Sequence, residues 1–270
     1  MADGSGPAST HHSKRLIGDL TSPEISQAVG KTAILCLPVG SLEQHGPHLP
    51  LSTDTILAEA FTQAIIARWT KTFDLWQLPA LTLGLSREHA WAPGTMSLSI
   101  ETMTALLRNV AAEIARALPT RNLVVINGHG GNRGILEALG RELAADYGLN
   151  FFALHLGAMM SPPSGAAFTE IHGGKDETSV MLALAPHLVR QDLVAQNKPP
   201  ADAKLVQTLI LDPAASWPWS SDDPRLAHLG VIGDAKAATV EHGQAIVARV
   251  VESAAGAFER LLDNQRRAQR

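Results

Sequence analysis

Four short apolar runs, alternating with helix-like segments, set the frame of this 270-residue chain. They are 32–38 (TAILCLP), 75–83 (LWQLPALTL), 122–127 (NLVVIN) and 150–155 (NFFALH). Each is almost continuously apolar, as a parallel strand covered on both faces must be. Between them, 55–69 places Ile56, Leu57, Ala60, Phe61, Ala64 and Ile65 at helical spacing, and 100–117 carries Met103, Leu106, Leu107, Val110 and Ile114 on one stripe. A third helical pattern covers 133–147. The order β-α-β-α-β-α-β predicts an α/β fold, a single domain with a mostly parallel central sheet and helices on both faces. Pro79 limits the middle of the second strand.

Beyond residue 156 the pattern loosens. Residues 175–185 read as a helix that stops at Pro186, 196–231 as a long irregular excursion, and 235–263 as a C-terminal helix. No repeat or linker divides the chain, so one domain is expected over 15–270, behind a flexible polar tail at 1–14. His11 and His12 lie in that tail and read as incidental. The formal net charge of −4 announces no basic face, which argues against nucleic acid and anionic membranes as partners. No run of 18 apolar residues and no signal-peptide pattern is present, so the expected location is the cytoplasm. The one cysteine, Cys36, cannot form an internal disulfide. It sits in an apolar strand and reads as core rather than as a nucleophile.

The chemistry gathers where the strands should end. In open parallel sheets that is where ligands bind. Residues 40–54 (GSLEQHGPHLPLSTD) follow the first strand, 127–132 (NGHGGN) close the third, and 172–179 (HGGKDETS) open a helix. Glu43 and His45 are two apart, so in an extended segment both project to one side. Asp54 falls at the start of the next helix, where the helix N-terminus favours a carboxylate and where a short side chain can bridge two cations. His129 is flanked by Gly128, Gly130 and Gly131, which permit close backbone approach. Glu177 lies at the start of the 175–185 helix. Two Glu, two His and a shared Asp are a sufficient donor set for two divalent ions, with zinc expected first and manganese or iron also suited. Such a centre activates water for hydrolysis.

Each part has a plainer reading. A single Glu or His is usually a solvated surface residue. GHGGN alone also fits a tight turn or an anion-binding loop at a helix N-terminus. His155, His187, His228 and His242 read as structural or surface residues. Trp91 fits a pocket wall and packed core equally. Ser41 and Ser86 lie near histidines, but no G-x-S-x-G elbow exists for a serine triad. The joint occurrence of three donor-rich segments at element ends favours the metal reading.

At these residues the chain resembles the creatininase, or creatinine amidohydrolase, family. The carrying segments are PVGSLEQHGPHLPLSTDT (38–55), SREHAWAPGTMSLS (86–99), NGHGGN (127–132) and HGGKDETSVMLAL (172–184), with VIGDAKAATVEHG (231–243) a weaker match. The resemblance implies a creatininase-like α/β domain, two metal ions per chain and a homo-oligomer, a hexamer in many members. It implies Glu43 and His129 on one ion, His45 and Glu177 on the other, and Asp54 between them. It places His172 as the group that handles protons at the leaving nitrogen.

Two departures narrow the substrate. Gly130 and Gly131 stand where creatininases resemble NGHYEN, and Phe168 and Thr169 stand where they carry a Trp-Asp pair. Both point away from creatinine itself. Glu88 and His89 are expected to line the pocket as catalytic groups that partly replace the missing acid, and Ser86, Gly130, Gly131 and Phe168 are expected to face a small-molecule amide. The leading expectation is hydrolysis of a linear or cyclic non-peptide amide, including formamides. The alternatives are a metallopeptidase acting on a short or modified peptide, and a non-catalytic protein binding an anion or nucleotide.

Overall fold

A computed structural model describes residues 15–161 and 170–268. The expected tail at 1–14, and Phe168 with Thr169, lie outside the described residues. Strands β1 (Ile34–Val39), β2 (Leu75–Gln77), β3 (Asn122–Asn127) and β4 (Asn150–His155) form one sheet in the order β2-β1-β3-β4. Helices α1 (Ser22–Ala28), α5 (Leu156–Met160) and α7 (Gln191–Val194) are short. All pairings are parallel, and Cys36 aligns with Gln77 on one side and Val124 on the other.

Period-two alternation sorts the strand residues between two cores. Ile34, Cys36, Val124 and Ile126 face helices α2 (Thr53–Trp69), α6 (Lys175–Leu184) and α9 (Val240–Ala268), meeting Phe61, Ile65 and Phe258. Leu35, Leu37, Leu123 and Val125 face α3 (Ile100–Ala117) and α4 (Arg133–Tyr147), meeting Met103, Leu107 and Leu136. The central strands β1 and β3 are buried throughout, which is why their sequence shows no polar alternation. The expected single α/β domain is what forms.

Three differences from expectation stand out. The second strand ends at Gln77, because Pro79 has no N–H to give to the ladder. The chain still follows β1 loosely, through Leu78 N–H to the Cys36 carbonyl (2.9 Å) and Leu81 N–H to the Pro38 carbonyl (2.9 Å). The C-terminal helix begins at Val240, after a short 3₁₀ turn at Ala235–Ala237. The excursion is not wholly irregular: α8 (Ala203–Leu209) packs Val206 against Leu226 and Ile232. Among the described residues no helix is long and apolar enough to cross a membrane.

The strand order reverses direction at β1. The chain moves from β1 to β2 on one side, then returns to place β3 on the other. The loops leaving β1 and β3 therefore diverge over a crevice at the carboxyl ends of the strands. The N-terminus of α2 is wedged into it. A Cβ on Gly128 would lie 2.2 Å from the Asp54 carbonyl oxygen, so only glycine lets β3 end this close to the helix.

Candidate metal centre

Five side chains from four separate segments meet in that crevice. The loop after β1 brings Glu43 and His45, and α2 brings Asp54. The loop after β3 brings His129, and the first turn of α6 brings Glu177. All but Glu177 are fully buried or nearly so, and Glu177 keeps 15% of its side chain open to the cavity. Two sets have their donor atoms within 4.8 Å of one another: Glu43, Asp54 and His129, and His45, Asp54 and Glu177. Asp54 is common to both. Glu43, His45 and His172 form a third such set, overlapping the first two.

The hydrogen bonds show which atoms remain for a cation. His129 Nε2 lies 2.6 Å from the Leu85 carbonyl oxygen and must donate to it. The opposite ring nitrogen, Nδ1, then faces Glu43 Oε1 and Asp54 Oδ2, each at 3.1 Å. Neither of those oxygens has a hydrogen-bond partner, although both are buried. His45 repeats the pattern. Its Nδ1 donates to the Glu43 carbonyl oxygen (3.1 Å), and its Nε2 faces Asp54 Oδ1 at 3.1 Å and Glu177 Oε2 at 4.0 Å. Backbone carbonyls that fix the imidazole tautomer in this way are the usual outer support of a metal-ligating histidine. The inner atoms are all acceptors, and a buried group of that kind needs positive charge.

The electrostatics express the same demand. Burial alone would lower His45, but the Asp54 carboxylate beside it raises it to about 9. His129 is raised well above the ordinary histidine value against the effect of burial, chiefly by Glu43. Burial works to raise Asp54 and Glu43, yet the neighbouring imidazoles hold both below the usual carboxylate range. For Glu177 burial prevails and lifts it to about 7. Without a metal, protons on the imidazoles, and in part on Glu177, balance this cluster.

The other expected site residues divide into three groups. His172 is brought in as expected. Its Nε2 donates to the Gln44 carbonyl oxygen (2.6 Å), and its Nδ1 lies 3.6 Å from Glu43 Oε1. Burial, then His89 and His45, push its pKa well below the usual histidine value, so it is neutral. His89 stacks on it, with ring centroids 3.9 Å apart, and turns Nε2 toward Glu43 Oε1 at 3.6 Å. Glu88, Gly130 and Gly131 line the cavity. Ser86 does not: it is buried behind Glu43 and gives its hydroxyl proton to Glu43 Oε2. It positions a carboxylate instead of facing a substrate.

Two further residues of the site, Gln44 and Ser221, are not singled out by the sequence. Gln44 is anchored by Gly46 N–H on its oxygen (2.8 Å), and its amide nitrogen reaches the Gly230 carbonyl (3.0 Å) and His89 Nδ1 (2.9 Å). Ser221 takes the Trp91 indole N–H (2.8 Å) and meets His89 Nδ1 (2.7 Å). Trp91 is therefore a brace, half exposed and outside the cavity lining. Gln44 lies between two recognisable donors, which was a usable signal; Ser221 comes from the excursion and had none. His155 lines the cavity beside Asn127, and His242 pairs with Asp176 (2.7 Å).

The cavity above the cluster has a volume of about 760 Å³. Its floor is acidic, with Glu43, Asp54, Glu88 and Glu177. One wall comes from the excursion: Ile210, Leu211, Trp217 and Trp219.

Fold and cluster together define a class, single-domain parallel α/β proteins with a buried carboxylate–imidazole centre at the strand switch point. Within that class the chain belongs to the creatininase family, whose model (creatinine amidohydrolase) matches residues 18–258. It is a hydrolase of that family. A mycofactocin precursor peptide peptidase of Mycobacterium tuberculosis (strain ATCC 25618 / H37Rv) is 35% identical, over 91% of this chain and 92% of the relative. The creatinine amidohydrolase of Pseudomonas putida is 31% identical, over 90% and 95%. Among solved structures, a mutant creatininase of Zn-Zn type matches with a TM-score of 0.72 and 29% identity, covering 92% of this chain and 98% of that one. A manganese creatininase matches with a TM-score of 0.69 and 27% identity at the same coverage.

Proposed function

We propose that this protein hydrolyses an amide C–N bond at a centre of two divalent metal ions. Glu43, Asp54 and His129 would hold one ion, and His45, Asp54 and Glu177 the other. The observation that carries this reading is the shared Asp54, whose two oxygens face imidazole nitrogens of different sets, 3.1 Å away on each side. Imidazole with carboxylate suits zinc, manganese or iron, and the zinc and manganese forms of related creatininases support the first two. Bound ions would supply a water ionised near neutral pH and polarise the scissile carbonyl.

The chain's own groups do the rest. His172 is neutral and gives its Nε2–H to the Gln44 carbonyl, which leaves Nδ1 to take up a proton and return it to the departing nitrogen. The stacked His89 ring and the Gln44 carbonyl hold His172 in place. Gly130 and Gly131 leave the cavity wall free of side chains, and Trp217 and Trp219 offer apolar surface to the substrate.

A small non-peptide amide, linear or cyclic, fits the centre. A second reading, a peptide or modified peptide, is favoured by the cavity, which at about 760 Å³ is far larger than a five-membered ring requires. The peptide-peptidase relatives support it further. The test is metal analysis of purified protein followed by a panel of formamides, cyclic ureides and short peptides. About two equivalents of zinc or manganese and chelator-sensitive cleavage of one panel class are expected. Protein that binds no metal, or cleaves equally well after its removal, defeats the proposal.

A further inference from the structure

The outer edge of His129 is closed by a loop that a side chain at position 131 would exclude. A Cβ built on Gly131 would lie 2.2 Å from the Leu85 carbonyl oxygen, 2.5 Å from His129 Nε2 and 2.8 Å from Glu88 Oε1. Contacts this short do not occur between real atoms. Its neighbour Gly130 has nothing within 4 Å of the same construction. Of these adjacent glycines, only Gly131 is demanded by packing, and what it admits is the segment from Leu85 to Glu88.

That segment is held on both sides. Leu85 N–H donates to Asn132 Oδ1 (2.9 Å), and the Asn132 amide reaches the Gly40 carbonyl at the end of β1 (3.0 Å). The Glu88 carbonyl accepts Ser221 N–H from the excursion (3.0 Å). The Glu88 side chain, 18% exposed, thus crosses in front of Gly131 and stops with Oε1 3.6 Å from His129 Nε2. At that range it makes no hydrogen bond, since the Leu85 carbonyl already takes the Nε2 proton. Its effect on the ring is that of a nearby negative charge. The Leu85 carbonyl fixes the ring, and a negative charge at its outer edge makes the inner nitrogen a stronger donor to a metal through space.

We infer that Glu88 is a positioning residue for His129, strengthening the half of the centre formed by Glu43, Asp54 and His129, and that Gly131 is glycine to admit the Leu85 backbone of the segment that carries it. The inference rests on the two-metal reading above. It is also specific to one half: both outer nitrogens donate to a backbone carbonyl, but among the described residues only that of His129 has a further carboxylate beside it.

The experiment titrates metal-stripped wild type, Glu88→Gln and Glu88→Ala with zinc against a chromophoric chelator. Circular dichroism confirms that each is folded. Glutamine keeps the shape and removes the charge, so it separates the electrostatic effect from packing. The expected result is a roughly 10-fold weaker affinity for one ion in both variants, from the lost through-space charge, with the other ion unchanged. In a Glu177→Gln background, which disables the other half, Glu88→Gln should still weaken the remaining ion. Unchanged binding of both ions by Glu88→Gln, or equal weakening of both, overturns the inference. Wild type that binds no zinc defeats the two-metal reading itself, a distinguishable outcome.

Discussion

Asp54 Oδ2 and His129 Nδ1 face each other at 3.1 Å with their other connections already settled. The imidazole has given its Nε2 proton to the Leu85 carbonyl, and the carboxylate turns its second oxygen to His45. Among the described residues Asp54 is the one carboxylate shared by the two proposed halves of the centre. Asp54→Ala should reduce bound metal from about two equivalents toward none, where loss of Glu177 should spare one. Metal content by atomic absorption on both variants checks this. An Asp54→Ala protein that keeps two ions refutes the bridging role.

Under the proposed mechanism His172 transfers protons and does not hold metal. A general acid–base group contributes about 10²- to 10⁴-fold. His172→Gln should lower kcat by about that factor on any substrate the wild type cleaves, leaving metal content and thermal stability close to wild type. Loss of metal in this variant would instead make His172 a ligand, as its distance to Glu43 and His45 permits.

Cys36 tests the core and not the site. It lies in β1 with no exposed surface, and burial pushes its thiol up to about 12. The folded state keeps the proton, while the unfolded thiol loses it near about 8.5. This contribution to stability is therefore complete below the unfolded value and is lost as pH rises toward the folded one. At pH 8 a disulfide reagent should leave native protein unlabelled and label one thiol per chain after denaturation. Rapid stoichiometric labelling of native protein would show that β1 is not sealed.

Much of this architecture is legible in the residues themselves. The bounds of β3, β4, α3 and α4 coincide with the apolar runs and stripes, because those segments are regular and end at polar or glycine punctuation. Glu43, His45, Asp54, His129 and Glu177 stand out because their residue types cluster at strand ends. Less visible is whatever depends on a fold-dependent partner. Ser86 looks like a pocket hydroxyl until Glu43 is seen in front of it. Ser221 carries no local pattern and matters only because the excursion returns over His89. The two glycines after His129 look interchangeable in sequence, and only the approach of Leu85 separates them.

Gly128 offers the sharpest link between packing and the site. Its missing Cβ would stand 2.2 Å from the Asp54 carbonyl and 3.3 Å from the Ala58 Cβ, so alanine there must push α2 away from the end of β3. The helix has little freedom to yield, since Leu57, Phe61 and Ile65 are locked in the core beneath it. Overpacking of this kind costs about 1–3 kcal/mol. Because the displaced segment carries Asp54, Gly128→Ala should lower the melting temperature and weaken both metal ions together. Gly130→Ala, two residues on and facing open space, is the control and should stay within about 0.5 kcal/mol of wild type. Thermal melts and zinc titrations of the pair decide the matter: equal behaviour of the two variants would mean that α2 is not fixed by the end of β3, and the placement of Asp54 would need another cause.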